Sequence, residues 1–214
     1  MSRITSLSIL SCSMAATMLL DSLFGGDPPV LAGGNHDAVD FKPVVEAPLP
    51  DGFPTYTPVG QIELKQYPAY RKAETSGRVA FWTLFKHITS AGITMTAPVE
   101  MTYQEEGPPL GEQRSMAFLY GSTQLGDLGR EGNVAVVDVP AAMVVSIGMR
   151  GDRSDSVLVQ AEQRLRGWME QKRGEYEQSG PVRVMGYNSP FVDRERQFFE
   201  VQIPLRKVSA AAAN

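Results

Sequence analysis

The sequence predicts an α+β fold: a distorted antiparallel β-barrel of about eight strands, built from two pseudo-repeats and flanked by two α-helices. Three observations support this prediction. Segments of strand-forming, partly alternating residues stand before and after one helical segment in each repeat. Two longer segments have apolar residues at helical spacing. The same order of elements also occurs twice along the chain, and internal repetition constrains a fold more than any single propensity does.

The first repeat begins with a predicted strand over residues 62–74. Pro68-Ala69 is expected to form a bulge in it, because proline cannot donate to a strand ladder. Thr75-Ser76-Gly77 then supplies a predicted N-cap for a helix over residues 78–91, which Gly92 ends.

The segment ITMTAPVEMTY, residues 93–103, reads as a strand interrupted by Pro98. Closing a sheet into a barrel uses bulges and bends, so we expect a corner at this proline. The next predicted strand covers residues 115–121.

The second repeat has the same elements in the same order. Its elements are a strand over 134–149 broken at Pro140-Ala141, a helix to about Lys172 capped by Asp152 or Ser154, a strand over 182–193 that carries Pro190, and a strand over 197–205.

The N-terminal region is interpreted as an export signal, because Arg3 precedes an uncharged stretch that runs to Asp21. We therefore expect a periplasmic or extracellular protein, or a cytoplasmic one if the leader is not functional. Lipid attached to Cys12, the only cysteine, would provide a membrane anchor. The predicted organisation is a leader over 1–34, a Gly/Pro-rich linker over 35–58, a folded domain over 59–206 and a disordered tail over 207–214.

Composition argues against several classes of function. The formal net charge is -4 and no run of Lys or Arg occurs, so the electrostatic footprint of a nucleic-acid binder is missing. No metalloprotease, nucleophile-elbow, P-loop or dinucleotide-binding motif occurs. We expect a non-enzymatic monomer without a membrane span in its folded domain. A hydrolase that depends on His87 is kept as a separate hypothesis.

Five segments resemble the SOUL haem-binding protein family in order and spacing, over roughly residues 59–206. MTAPV after the first helix is the most specific of them. The resemblance implies a two-helix distorted barrel that binds haem or a related tetrapyrrole as a carrier, buffer or sensor. The runner-up is a module of the same fold for another apolar ligand or a protein partner. The segments are YPAYRKAET (67–75), AFWTLFKHI (80–88), MTAPVEM (95–101), GYNSPF (186–191) and FFEVQIPL (198–205).

Family members that bind haem are understood to hold the porphyrin against an apolar surface beside the first helix, with basic side chains near the propionates. In this chain the corresponding residues are Arg78, Phe81, Trp82, Phe85 and Lys86. Their spacing places aromatic rings between two cations on one broad helix face. Arg78 is the better propionate partner, because a guanidinium can donate two bonds to one carboxylate.

The same helix allows a second arrangement. Periodicity alone favours packing of these aromatic residues, with Ile88, onto the barrel. A core face of Ala80, Leu84, Ile88 and Ala91 would instead release the aromatic rings for a ligand. The sequence does not decide between the two.

Iron ligation has several candidates. His87 lies on the first helix, where the family often has tyrosine, and imidazole is the commonest protein ligand to haem iron. A haem without a protein axial ligand is the other expectation. The methionines that offer thioethers are Met95, Met101, Met116, Met143 and Met185, although methionine in a strand usually fills core space.

Overall fold

The computed structural model describes residues 41–104 and 110–208. The predicted leader and residues 209–214 of the predicted tail lie outside these ranges, whereas Lys207 is the last residue of a strand. Within them the chain forms ten strands and two α-helices. The strands are β1 (Ile62–Tyr67), β2 (Tyr70–Thr75), β3 (Val99–Tyr103), β4 (Gln113–Leu119), β5 (Gly129–Glu131), β6 (Val134–Val139), β7 (Ala142–Arg150), β8 (Tyr176–Gln178), β9 (Arg183–Gly186) and β10 (Phe198–Lys207), and the helices are α1 (Ala80–Ser90) and α2 (Asp155–Gln171).

All the described strands belong to one antiparallel sheet. Its order is β1-β7-β10-β9-β3-β4-β2-β6-β5, and β8 pairs with β10 beside this path. No pairing joins β1 to β5 among the described strands, so the sheet is not closed through its two ends. The predicted α+β class, with a distorted antiparallel sheet and two helices, is confirmed. The short strands β5 and β8 bring the number above the eight predicted.

The two repeats are visible in the strand pairing. β1 and β2 meet at Pro68-Ala69, and β6 and β7 meet at Pro140-Ala141. The two bent strands pair on both sides of their corners, with Tyr67 opposite Ala142 and Tyr70 opposite Val139. β3 and β9, which correspond to the strands predicted after the helix of each repeat, pair at the middle of the sheet.

The predicted corner at Pro98 precedes a strand instead of dividing one. Residues 93–98 form no strand, and β3 begins at Val99. The Ala97–Pro98 peptide bond is cis. Thr96 Oγ1 donates to the carbonyl of Leu119. A side-chain hydrogen bond, and not strand pairing, therefore joins residues 93–98 to the end of β4.

α1 starts later than the sequence predicts. Thr75 is the last residue of β2, and its hydroxyl donates to the carbonyl of Asn133, so it is not available as a cap. Gly77 makes the turn with φ +94°, a conformation that favours glycine. The N-cap is Val79, which has no capping side-chain bond. Arg78 therefore lies in the turn before α1 and not on the helix.

Each helix buries one apolar stripe against the sheet. Leu84 and Ile88 of α1 pack in a cluster with Phe118 of β4. Leu158 and Leu165 of α2 pack in a second cluster against β7 and β10. Neither helix in the described part of the chain is long and apolar enough to cross a membrane.

Residues 41–58, which the sequence predicts to be a linker, contain no helix or strand and yet are packed. The Phe53 ring stands edge-on to Tyr67 and Tyr70, at centroid distances of 5.0 and 5.3 Å. Tyr56 packs on Phe198 at 5.4 Å, and the Thr57 N–H donates to the carboxylate of Glu200. The segment covers apolar residues of the sheet that would otherwise face water.

A buried ionic network crosses the interior of the sheet. The carboxylate of Glu100 accepts bonds from Lys72 Nζ at 2.7 Å, Tyr70 OH at 2.6 Å and Arg183 Nη1 at 3.2 Å. Burial alone would raise the pKa of Glu100, but the charges of Arg183 and Lys72 outweigh it and hold this pKa below its ordinary value. Gln202 accepts a bond from Arg183 and donates one to Glu200, so the two buried carboxylates belong to one network.

Candidate functional site

The outer face of α1 carries exposed aromatic rings. Trp82 is 67% exposed and Phe85 is 44% exposed. Ala80, Leu84 and Ile88 are buried instead. Of the two arrangements that the sequence allows, the helix therefore packs on the sheet through its small and aliphatic residues. The aromatic side chains are left available for a ligand.

Phe81, Trp82 and Phe85 form one cluster, which we call the aromatic face. The Phe81 and Phe85 rings are parallel within 7° at 6.3 Å, and the Trp82 ring stands edge-on to both. Phe81 is half-buried and stands edge-on to Phe118 of the core at 5.2 Å. This contact joins one end of the cluster to the core, and the other two rings are exposed.

Arg78 and Lys86, the predicted propionate partners, are both exposed. Neither side chain forms a hydrogen bond or an ion pair with any residue that the structure describes. Arg78 lies just before the helix, and Lys86 lies one turn after Trp82. Both cations are thus free to contact an anionic group beside the aromatic face.

His87 lies on another side of α1, and both of its ring nitrogens have a neighbour. Nε2 is 3.0 Å from the hydroxyl of Tyr120, and Nδ1 is 3.2 Å from the carboxylate of Glu131. The residue borders a cavity of about 380 Å³ that Phe81, Trp82 and Phe85 do not line. Iron ligation by His87 would require one of these contacts to open. Among the described residues, no three His, Cys, Asp or Glu side chains are grouped as a metal site.

A second cavity, of about 430 Å³, is lined in part by Phe81 of the aromatic face. Strands β3, β4 and β9 contribute to its wall, together with the loop after α1 and residues 46–48. Met95, Met101 and Met116 line it, and the adaptable shape of methionine suits an apolar ligand. We call it the methionine cavity. It borders two of the segments that carry the family resemblance, MTAPV and GYNSP.

Sequence reasoning missed two polar residues of this cavity. Arg153 reaches it from the turn before α2, and Glu46 reaches it from the segment predicted to be a linker. Burial opposes ionisation of Glu46, but bonds from the Ser189 N–H, the Ser189 hydroxyl and Asn188 hold its pKa below the ordinary value. The Asn188-Ser189 pair, within the motif GYNSP, is the only sequence signal that points to this part of the site.

The residues present fit a tetrapyrrole in two respects. The aromatic face offers exposed rings for the macrocycle, and Arg78 and Lys86, which have no side-chain partner among the described residues, offer cations for its carboxylates. For the iron, the half-buried thioethers of Met95 and Met116 line the adjoining cavity. The shape and charge of this arrangement suit a flat, acid-bearing molecule.

Comparison with solved structures places the fold among known ones. The C-terminal domain of EcmrR is 20% identical, with a TM-score of 0.52 over 69% of this chain and 98% of that chain. An uncharacterized conserved protein from Listeria innocua is 14% identical, with a TM-score of 0.52 over 71% and 95%. A hydrolase encoded by lin2189 from Listeria innocua is 14% identical, with a TM-score of 0.51 over 71% and 94%. At these identities the likeness shows the fold alone.

No curated protein matches the chain. The model of the SOUL heme-binding protein family matches residues 53–204, which is most of the chain. The expectation drawn from the YPAYRKAET, MTAPVEM and GYNSPF segments is confirmed. The protein belongs to the SOUL heme-binding protein family.

Proposed function

We propose that this protein binds haem or a related tetrapyrrole without catalysing a reaction, in an apolar site beside α1, and acts as a carrier, buffer or sensor. The observation that carries the proposal is the exposure of Trp82 and Phe85 on a helix that forms its core contacts with other residues. Exposed aromatic clusters of this kind are typical of binding sites. Membership of a haem-binding family indicates which ligand to test first.

Different side chains would contact different parts of the ligand. Trp82 and Phe85 would cover the macrocycle, which buries apolar area on both partners. Arg78 and Lys86 would donate charge-assisted bonds to the propionates, and such bonds are roughly twice as strong as neutral ones. When haem is the ligand, its iron supplies the ligand-exchange or redox chemistry, and the protein supplies the surface and the charges.

The hydrolase hypothesis finds little in the geometry that favours it. Among the residues that the structure describes, His87 contacts the hydroxyl of Tyr120 and not that of a serine or threonine. Glu131, which would have to orient the imidazole, is an exposed side chain of the short strand β5. We therefore propose that the protein is not an enzyme. A panel of ester and amide substrates tests this, and turnover that is lost in His87→Ala would contradict it.

Titration of the full chain with hemin and with metal-free protoporphyrin tests the binding proposal. We expect saturable one-to-one spectral changes with a Kd of about 1 μM or lower, since weaker uptake is expected of any apolar surface. Trp82→Ala should weaken binding of both compounds by about tenfold, because one aromatic contact surface is lost. Failure of both compounds to saturate the protein would contradict the proposal.

Phe191→Ala is the matched control, because Phe191 is 90% exposed and does not lie on α1. This variant should bind hemin as the parent does. If Phe191→Ala loses hemin binding and Trp82→Ala keeps it, the ligand does not bind beside α1.

We also propose export, as Arg3 and the uncharged stretch to Asp21 suggest. Mass spectrometry of the natural N-terminus tests this proposal. A start at Met1 or Ser2 in a cytoplasmic fraction would contradict export, whereas a lipid on Cys12 would support anchoring to a membrane.

A further inference from the structure

Most of the exposed large apolar side chains in the described part of the chain lie on α1 or in the loops beside it. Val79, Trp82 and Phe85 belong to the N-cap and the outer face of the helix. Leu128 and Phe191 belong to the loops before β5 and after β9, and both are more than half exposed. Soluble proteins rarely expose large apolar patches, and such patches mark sites of contact with a partner, a ligand or a membrane.

The two loops flank α1 on different sides. The loop after β9 lines the methionine cavity together with Phe81, as far as Pro190, and Phe191 is the next residue. Leu128 lines the other cavity together with His87. At about 100° per residue, Phe81 and His87 lie on either side of the buried stripe of the helix. α1 is therefore placed between two loops that each carry an exposed apolar side chain.

The charge of α1 is positive, although the protein as a whole is acidic. The formal net charge of the chain is -4, but residues 78–92 contain Arg78, Lys86 and a histidine and no Asp or Glu. Arg78 and Lys86 are exposed and have no side-chain partner among the described residues. Two acidic residues of the adjoining cavity, Asp127 and Glu131, lie in the loop before β5 and in β5, and Glu131 contacts the imidazole of α1. The outer surface of α1 is therefore complementary to anionic groups.

We propose that α1 and its two flanking loops dock the protein on the surface of a membrane that contains anionic lipids. Trp82, Leu128 and Phe191 enter the headgroup region, where indole and other apolar side chains are stabilised, and Arg78 and Lys86 contact lipid phosphates. Phe191 is 90% exposed, and a side chain that projects this far fits a fluid surface without a matching pocket. The proposal goes beyond tetrapyrrole binding and does not depend on it, because Leu128 and Phe191 lie outside the aromatic face.

Co-sedimentation of the full chain with vesicles of defined composition tests the docking. We expect about tenfold stronger partitioning to phosphatidylcholine vesicles with about 30 mol% phosphatidylglycerol than to pure phosphatidylcholine, because two cations meet anionic headgroups. High salt should weaken partitioning to the anionic vesicles, since it screens these contacts. Equal partitioning to the two kinds of vesicle, or none to either, would overturn the proposal.

Variants show which part of the chain contacts the lipid, because the predicted leader is also rich in apolar residues. Trp82→Ala and Phe191→Ala should each weaken partitioning about fivefold, since each removes an apolar side chain from the contact. Phe191→Ala should still bind hemin, so failure of the docking proposal and failure of the tetrapyrrole proposal are distinguishable. Leu64→Ala is the matched control, because Leu64 is 41% exposed but lies on β1 and on neither cavity wall. Unchanged partitioning in Trp82→Ala or in Phe191→Ala would overturn the proposal.

Tryptophan fluorescence measures insertion directly. The chain has two tryptophans, and the ring of Trp168 packs against Tyr176 at 5.9 Å. In Trp168→Phe only Trp82 remains, so lipids with brominated chains should quench the tryptophan emission. Emission that is not quenched when the protein is bound to such vesicles would overturn the proposal. Gel filtration without lipid tests the other occupant, and a dimer that is lost in Trp82→Ala would assign the surface to a second copy of the chain instead.

Discussion

Removing the charge of Glu100 should destabilise the fold more than removing that of an exposed glutamate. In Glu100→Gln, Lys72 and Arg183 keep their positive charges in the interior without the carboxylate that balances them. Breaking a buried ion pair on one side costs about 3–5 kcal/mol, mainly through the uncompensated charge. Gln preserves the volume and one acceptor oxygen, so we expect a loss toward the lower end of this range.

Urea denaturation at neutral pH measures this loss. Glu177→Gln is the control, because Glu177 forms an exposed ion pair with Arg206 at 2.6 Å, and exposed pairs contribute little. The midpoint should fall clearly for Glu100→Gln and stay near the parent value for Glu177→Gln. Equal shifts in the two variants would refute the view that Glu100 holds a buried network together.

The pH dependence of stability has a definite sign. The pKa of Glu100 is lower in the folded protein than its ordinary value of 4.5, as Arg183 and Lys72 overcome the effect of burial. The stabilisation from Glu100 is therefore fully present above about pH 4.5 and is lost as the pH falls through the folded pKa. The difference in unfolding free energy between parent and Glu100→Gln should shrink on acidification. A difference that grows would contradict the assignment.

Three further predictions test other parts of the structure. Leu84→Ala should cost about 2–5 kcal/mol of unfolding free energy and Phe85→Ala clearly less, because Leu84 is fully buried and Phe85 is not. Urea midpoints of the two variants measure the difference, and the reverse order would show that the aromatic face is core. The double variant Arg78→Ala/Lys86→Ala should weaken hemin binding by about tenfold or more with a nearly unchanged thermal midpoint; unchanged affinity would remove both residues as propionate partners. Gly148→Ala should lower the thermal midpoint strongly, because a Cβ would lie 2.1 Å from the carbonyl oxygen of Thr57, and an unchanged midpoint would contradict this close approach.

The repeat was the part of the fold that the sequence predicted best. Pro68-Ala69 and Pro140-Ala141 stand at matching positions in two similar strands, and these strands pair with each other around both corners. This succeeded because proline restricts the backbone locally, whatever surrounds it. The predicted start of α1 was wrong. The hydroxyl of Thr75 donates to the carbonyl of Asn133, far along the chain, and no local sequence pattern reveals that bond.

The candidate site was predictable only in part. Periodicity places Phe81, Trp82 and Phe85 together, but it cannot tell whether a face this apolar is buried or left open. The choice depends on how the shape of the sheet fits the smaller side chains of α1. Glu46 lies beside Ser189 although 143 positions separate them, so the polar part of the methionine cavity exists only once the chain has folded.

The packing of residues 41–58 on the sheet limits where the domain can be cut. The family match begins at residue 53, but Phe41 already lies against Phe198 at 6.2 Å, and the carbonyl of Val44 accepts a bond from Asn188. A fragment that starts at Gln61 would also lack the Thr57 N–H, which donates a hydrogen bond to the carboxylate of Glu200. Domain grafts and truncations that follow the family boundary would thus expose apolar surface around Phe198. The smallest piece with the native surface includes the whole segment from Phe41 onward.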